Sequence, residues 1–328
     1  RACVLGYGEV TERPTYRIHP GHAPQLGWYP DPILDFLKSA DVKGDDVQSF
    51  WVRVTCPEGQ EAGTYEGRLL ISSTSVAGPL RYEVPLAVRV NDFSLPGVSP
   101  LPLLTVFSPQ VSLNDKDWKT RVQAKADSPI RVWSKHYDEW VDFLADRYIT
   151  MDNIYIRSPK AVEARYLPAW RRLKAQGRLG WHCIGYFDPM PSGGEGEAQW
   201  RQKTGANLHA IHDRLAAEGL LEGAYFLGAD ELPLGRIEDF RRAAALVKEW
   251  FPDIPLATTG CSRGCGTKGS PSERLGAVVD MFIPTTESWM GQLDCVAKAR
   301  AEGRNPGWYI CNNPDYPYAQ MFTESEPI

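Results

Sequence analysis

The sequence lacks any long apolar run, and several other missing features exclude whole classes of protein. No stretch approaches the roughly 18 or more apolar residues of a membrane-spanning helix, so we expect no membrane span. The formal net charge of -5 argues against a nucleic-acid partner. The chain begins at Arg1 within a strand-like segment, with neither an initiator Met nor a signal sequence. We therefore expect residues to precede it and infer no compartment.

The sequence also lacks a cysteine framework and a recognisable metal motif. The seven cysteines are scattered and odd in number, unlike those of a disulfide scaffold. Cys261 and Cys265 could pair or share a metal, but no second Cys or His pair follows at zinc-like spacing. His209 and His212 share one face of a predicted helix without a suitably spaced Glu. We expect neither a metal nor another cofactor.

Aromatic residues, by contrast, are abundant. The chain contains eleven Trp and fourteen Tyr, and sugar C–H faces stack well on such rings. This composition suits a carbohydrate-binding cleft, although ordinary core and interface packing accounts for most aromatics in most proteins.

The first part of the chain has the pattern of an antiparallel β-sandwich. Residues 48–55, 64–72 and 80–90 alternate with a rough period of two and are rich in β-branched or aromatic residues. Turn residues separate them. We predict a β-sandwich domain over residues 1–95, ending in the Pro- and Gly-bearing connector 91–100.

The remainder alternates between strand-like and helix-like segments. The clearest helical stripe combines Ile237, Phe240, Ala244, Val247 and Phe251. Repeated βα units, without a glycine-rich phosphate loop, favour a (β/α)₈ TIM-type barrel over a doubly wound sheet. We predict a catalytic barrel over residues 96–328, and we expect it to be C-terminally incomplete because no eighth strand follows. The predicted strands are residues 101–107, 153–156, 179–186, 223–227, 254–259, 279–283 and 308–311.

Two adjacent carboxylates, Asp230 and Glu231, end the apolar run 223–229. In a barrel of parallel strands this position is the catalytic rim. Two neighbouring carboxyl groups can divide their roles, one donating a proton while the other stays charged. The alternative is a solvated surface pair or a pair of charges at a helix N-terminus.

Residues that follow the other predicted strands are candidates for substrate binding. Trp289 could form a sugar platform or simply pack against neighbouring loops. Tyr309 lies within the seventh predicted strand and could belong either to the barrel core or to the pocket. Asn313 or Tyr316 could bind hydroxyl or carbonyl groups of a substrate. The complete set is Tyr186, Asp188, Trp289, Tyr309, Asn313 and Tyr316.

Several motifs together resemble glycoside hydrolase family 123 and its relatives of unassigned activity. They are Trp28-Tyr-Pro-Asp-Pro32, Gln48-Ser-Phe-Trp51 and Gly63-Thr-Tyr-Glu-Gly67 in the sandwich, and Gly228-Ala-Asp-Glu-Leu-Pro233 and Gly307-Trp-Tyr-Ile-Cys311 in the barrel. The resemblance spans essentially the whole chain. The carboxylate pair is its most specific motif and is similar in logic to that of family 20 hexosaminidases.

This resemblance implies an exo-acting β-N-acetylgalactosaminidase that retains configuration by a substrate-assisted mechanism. Asp230 would orient the 2-acetamido group of the substrate, whose oxygen is the nucleophile. Glu231 would act first as general acid and then as general base. The implied partner is a glycan or glycoconjugate substrate. Two alternatives stay open: a glycosidase acting on a sugar without an acetamido group, and a non-catalytic carbohydrate-binding protein of the same fold.

Overall fold

The computed structural model describes residues 1–10, 27–75, 78–106, 129–259, 279–285, 289–291 and 293–309. The chain divides into two compact units, the first containing Arg1–Leu95 and the second beginning at Pro96. Within the described residues, no helix is both long and apolar enough to cross a membrane.

The first unit consists of two antiparallel sheets. Strands β1 Ala2–Val10, β2 Gly27–Leu34 and β3 Phe50–Val52 form one sheet in the order β2-β1-β3. Strands β4 Gly63–Ser75 and β5 Gly78–Val90 pair along their whole length as a hairpin. Our three predicted strands correspond to β3, β4 and β5, whereas β2 was missed.

Burial in this unit differs from the simple alternation that a sandwich predicts. A sandwich strand buries one of its two faces. In the hairpin, however, Leu70 is 45% exposed and Tyr82 is 55% exposed. Among the described residues of this unit, Cys3 and Val4 are the buried apolar side chains. The β-sandwich therefore stays a prediction.

The second unit alternates strands and helices. Short helical turns precede two of its helices: the α-helical turn Pro159–Ala161 and the π-helical turn Val162–Tyr166 lead into the helix Leu167–Ala175, and the 3₁₀ turn Leu234–Arg236 leads into the helix Ile237–Trp250. In chain order its elements are β6 Leu103–Val106, α1 Pro129–Ala145, β7 Ile149–Asp152, α2 Leu167–Ala175, β8 His182–Phe187, α3 Gly194–Ala216, β9 Ala224–Gly228, α4 Ile237–Trp250, β10 Leu256–Thr258, β11 Met281–Phe282 and α5 Leu293–Ala301.

Strands β8 to β11 form a four-stranded parallel sheet in which each strand lies beside the next one in sequence. Strands β6 and β7 form a separate parallel pair. A sequential parallel order is the one that a (β/α)₈ barrel requires. Closure of the barrel stays a prediction, and the predicted incomplete end falls on residues 310–328, outside the described residues.

Both faces of the four-stranded sheet are buried. On one face, Phe226 of β9 packs with Leu208 of α3 and Phe240 of α4. Because neither face meets water, these strands are continuous apolar runs instead of alternating ones. The opposite face carries a second cluster, with Leu104 of β6 packed against it: Cys183, Tyr186, Tyr225, Leu227, Ala257 and Met281.

The predicted helical stripe is confirmed, and one predicted strand is wrong. All five side chains of the stripe that begins at Ile237 are buried. The strand predicted at residues 153–156 instead lies at Ile149–Asp152. The strand ends there because the Asn153 side-chain oxygen accepts the Tyr155 N–H at 3.0 Å, which turns the chain out of the extended conformation. The seventh predicted strand, residues 308–311, is described only at residues 308 and 309. There Tyr309 forms a parallel bridge with Thr285.

Replacement of Gly228 by Ala should destabilise the second unit. An added methyl would lie 2.4 Å from Phe187 Cζ and 2.6 Å from Phe240 Cε2. Both rings are fully buried and stack on each other with centroids 6.0 Å apart, so neither can move aside cheaply. We expect the free energy of unfolding to fall by about 1–3 kcal/mol, measured as a lower melting temperature by calorimetry.

Gly235→Ala is the matched control for this substitution. An added methyl at Gly235 meets nothing within 4 Å, so we expect stability within about 0.5 kcal/mol of the parent protein. Equal melting temperatures for Gly228→Ala and Gly235→Ala would show that the packing around Gly228 is looser than described.

Candidate active site

Asp230 and Glu231 follow β9 after one intervening residue, Ala229, at the carboxyl end of the parallel sheet. Asp230 stands between two residues with left-handed backbone, Ala229 with φ of 50° and Glu231 with φ of 47°. Such conformations cost roughly 1–3 kcal/mol each for residues other than glycine and concentrate at functional sites. They turn the chain sharply, so that the two carboxylates do not simply alternate as they would in a strand.

The Asp230 carboxylate accepts hydrogen bonds from two hydroxyl groups. Thr259, which follows β10, donates from Oγ1 to Asp230 Oδ1 at 2.5 Å. Tyr155, in the loop after β7, donates from its hydroxyl to Asp230 Oδ2. Both donors lie at the carboxyl ends of parallel strands. Each oxygen of the carboxylate thus has one hydroxyl donor.

Tyr186 supports the backbone of the pair. Its hydroxyl accepts the Asp230 N–H at 3.1 Å. A β-bulge between Cys183 and Gly185 brings Tyr186 to this position. In a regular strand Tyr186 would share a face with Ile184, but the bulge places it on the opposite face.

Glu231 is exposed and has a different set of partners. Its backbone N–H donates to Thr259 Oγ1 at 3.1 Å. Its carboxylate oxygen Oε1 lies 3.5 Å from the Tyr309 hydroxyl, which donates to it. The sequence left open whether Tyr309 belongs to the barrel core or to the pocket, and this contact favours the pocket. The two carboxylates therefore have different surroundings: Asp230 is enclosed by hydroxyls, whereas Glu231 is open to solvent.

Asp188 and Trp289 lie at the same edge of the sheet but in other contacts. Asp188 forms a two-pronged ion pair with Arg157, whose guanidinium lies 4.2 Å from the Tyr186 ring centroid. Trp289 packs against Trp308 with ring centroids 5.3 Å apart. The described contacts thus link Asp188 to the site through Arg157 and Tyr186, and they do not link Trp289 to the carboxylate pair. Asn313 and Tyr316 are outside the described residues.

A buried polar network lies beneath the Tyr155 loop. Asp152 accepts the Tyr225 hydroxyl at 2.8 Å and the backbone N–H groups of Cys183 and Asn153. Burial, opposed by these hydrogen bonds, raises the pKa of Asp152 to about 6. The network fixes the end of β7, and the Asn153 turn then determines where Tyr155 lies.

Sequence reasoning missed Tyr155 and Thr259. The sequence carried a signal for Thr259, because this polar residue ends the predicted apolar strand 254–259 at the rim. Tyr155 was assigned to the interior of a predicted strand, so its place in a loop was not visible. As for metals, the described ranges contain no group of three or more His, Cys, Asp or Glu side chains that could hold an ion. Cys261 and Cys265 are outside those ranges.

Comparison with known proteins matches the part of the chain that contains these residues to a family model. The family profile described as "Glycoside hydrolase 123, catalytic domain" matches residues 116–328. No curated protein matches the chain. Among solved structures, a family 123 glycoside hydrolase from Clostridium perfringens, studied for glycolipid glycan hydrolysis, is similar with a TM-score of 0.59 and 13% identity. The match covers 97% of this chain and 60% of that enzyme, and at this identity it concerns the fold alone.

Titration of Tyr155 should report its contact with Asp230. Partial burial, the hydrogen bond to Asp230 and the charge of that carboxylate all raise the pKa of Tyr155 above its usual value of 10.0. A raised pKa keeps the phenol neutral, so we expect Tyr155 to remain protonated at pH values where ordinary tyrosines ionise. Asp230→Asn removes the charge and should lower the Tyr155 pKa.

The ultraviolet tyrosinate signal is measured as a function of pH in the parent protein and in Tyr155→Phe. The difference between the two curves is the signal of Tyr155. The same pair of proteins in the Asp230→Asn background is the control for all other tyrosines. A Tyr155 signal that emerges at the same pH in both backgrounds would contradict the contact.

Proposed function

We propose that this chain, which belongs to glycoside hydrolase family 123, removes terminal β-linked N-acetylgalactosamine from glycans or glycoconjugates by substrate-assisted hydrolysis with retention of configuration. The observation that supports this most directly is the unequal environment of the adjacent carboxylates. Asp230 accepts two hydroxyl hydrogen bonds, whereas Glu231 is exposed beside the Tyr309 hydroxyl.

Asp230 suits the task of orienting a 2-acetamido group. A carboxylate has about four acceptor positions, and Tyr155 and Thr259 occupy one on each oxygen. A third donor, the acetamido N–H, can therefore still bind. The charged carboxylate would then stabilise the positive charge that develops as the acetamido oxygen attacks C1.

Glu231 suits the task of proton transfer. In the first step the acetamido oxygen forms a bond to C1, the bond from C1 to the leaving oxygen breaks, and Glu231 gives its proton to that oxygen. In the second step Glu231 takes a proton from water, the water oxygen bonds to C1, and the oxazolinium ring opens. Two displacements at C1 retain its configuration.

Other residues of the rim are proposed to bind the sugar. Tyr309 contacts Glu231 and could also reach a bound acetamido group or leaving oxygen. Tyr186 and the Arg157–Asp188 pair provide an aromatic surface and charged groups beside the pair. Trp289, packed on Trp308, is a candidate platform for a sugar further along the edge. Asn313 and Tyr316 stay candidates from the sequence.

Substitution of Glu231 by Gln tests its role as general acid. Protonation assists poor leaving groups most, so we expect kcat/KM for a natural-type β-GalNAc glycoside to fall about 10²- to 10⁴-fold. An activated aryl β-GalNAc substrate should lose less. Glu249→Gln, an exposed glutamate on α4, is the control and should leave both rates unchanged. Equal losses for the two substrates would assign Glu231 another task.

Two inhibitors test the identity of the nucleophile. A thiazoline derived from GalNAc imitates the cyclic intermediate, so it should bind more tightly than substrate, measured as competitive inhibition. A 2-fluoro sugar traps enzymes that use a carboxylate nucleophile and should leave no adduct on any Asp or Glu in peptide mass analysis. An adduct on Asp230 without thiazoline inhibition would overturn the substrate-assisted mechanism.

A further inference from the structure

Thr259 contacts both members of the carboxylate pair through one oxygen atom. Its Oγ1 accepts the Glu231 N–H at 3.1 Å and lies 2.5 Å from Asp230 Oδ1. The residue is only 7% exposed. The preceding residue, Thr258, donates from Oγ1 to the Ala229 carbonyl at 2.9 Å. Two consecutive hydroxyls at the end of β10 thus hold three consecutive residues after β9.

The geometry determines the direction of these hydrogen bonds. A hydroxyl has one proton and two acceptor lone pairs, and the Glu231 N–H can only donate. Thr259 Oγ1 must accept from that N–H, which leaves its single proton for Asp230 Oδ1. Asp230 is therefore the acceptor at this contact, and the carboxylate oxygen facing Thr259 carries no proton.

This arrangement distinguishes two carboxylates that are adjacent in sequence. Thr259 donates to the side chain of Asp230, whereas it accepts from the backbone of Glu231. The same contact restrains Glu231 in its left-handed conformation, three residues beyond the end of β9 at Gly228.

We propose that Thr259 is a positioning residue that orients the Asp230 carboxylate and holds the turn from which Glu231 projects. This inference rests on the proposed function and deepens it: Asp230 is the orienting member, with the oxygen that faces Thr259 held as an acceptor, and Glu231 is the proton-transferring member, whose backbone N–H donates to Thr259. Thr259 itself acts through the pair and touches no reacting atom.

Thr259→Val and Thr259→Ser separate this role from simple packing. Valine has the shape of threonine but no hydroxyl, whereas serine keeps the hydroxyl. With an aryl β-GalNAc substrate we expect Val to lower kcat about 10- to 100-fold, the loss expected for one hydrogen bond to a charged group, with a smaller change in KM. Ser should restore kcat to within about threefold of the parent protein.

Hydrogen exchange of the Glu231 amide provides a second readout that does not depend on activity. In Thr259→Val this N–H loses its acceptor, so its exchange should accelerate, while Thr259→Ser should exchange like the parent protein. The measurement is exchange followed by mass spectrometry on fragments spanning residues 228–232, with the other strands of the sheet as internal controls.

The outcomes are distinct. Unchanged exchange in Thr259→Val, or unchanged kcat despite faster exchange, overturns the proposal. So does an equal loss of kcat in Val and Ser accompanied by a lower melting temperature, which would indicate packing alone. If the parent protein fails to cleave any acetamido glycoside, the proposed function fails, and the exchange result then decides by itself whether Thr259 holds the pair.

Discussion

Hydrogen bonds to Asp230 are the interaction on which the arrangement of this site depends. Its carboxylate accepts from Tyr155 after β7 and from Thr259 after β10, and its N–H donates to Tyr186 near the end of β8. A residue at the end of β9 is thus connected to the ends of three other strands. Parallel strands bring their carboxyl ends to one edge, so the position of the carboxylate depends on β8 and β10 of its own sheet and on the loop after β7, which belongs to the separate pair β6–β7.

The same region combines backbone strain with rigid support. Left-handed residues on both sides of Asp230 cost free energy. The hydroxyls of Thr258 and Thr259 offset part of that cost by bonding the turn. Just before it, Gly228 is enclosed by the stacked rings of Phe187 and Phe240. A strained turn mounted on a tightly packed strand keeps the two carboxylates in position better than a free loop would.

Sequence reasoning succeeded where local pattern is sufficient and failed where packing decides. The apolar stripe of α4 and the buried strand β9 follow from periodicity and composition. The predicted strand at residues 153–156 was displaced because a buried carboxylate, Asp152, ends β7 and Asn153 then turns the chain. A hydropathy pattern cannot show that a polar residue belongs to a buried network, since its partners come from elsewhere in the chain. Nor can a hydropathy pattern show the β-bulge that places Tyr186 on the opposite face of the sheet.

The sequence by itself determined that two adjacent carboxylates follow a buried strand, and that their surroundings resemble one family of glycoside hydrolases. Both are properties of consecutive residues. Only the tertiary structure decided which of the two carboxylates is enclosed and which is open. The partners that make this difference, Tyr155 and Thr259, lie 75 and 29 residues from Asp230 along the chain. Thr259 reaches it because β10 pairs in parallel with β9, and Tyr155 reaches it from the loop after β7 in the separate pair β6–β7, relations that no local spacing encodes.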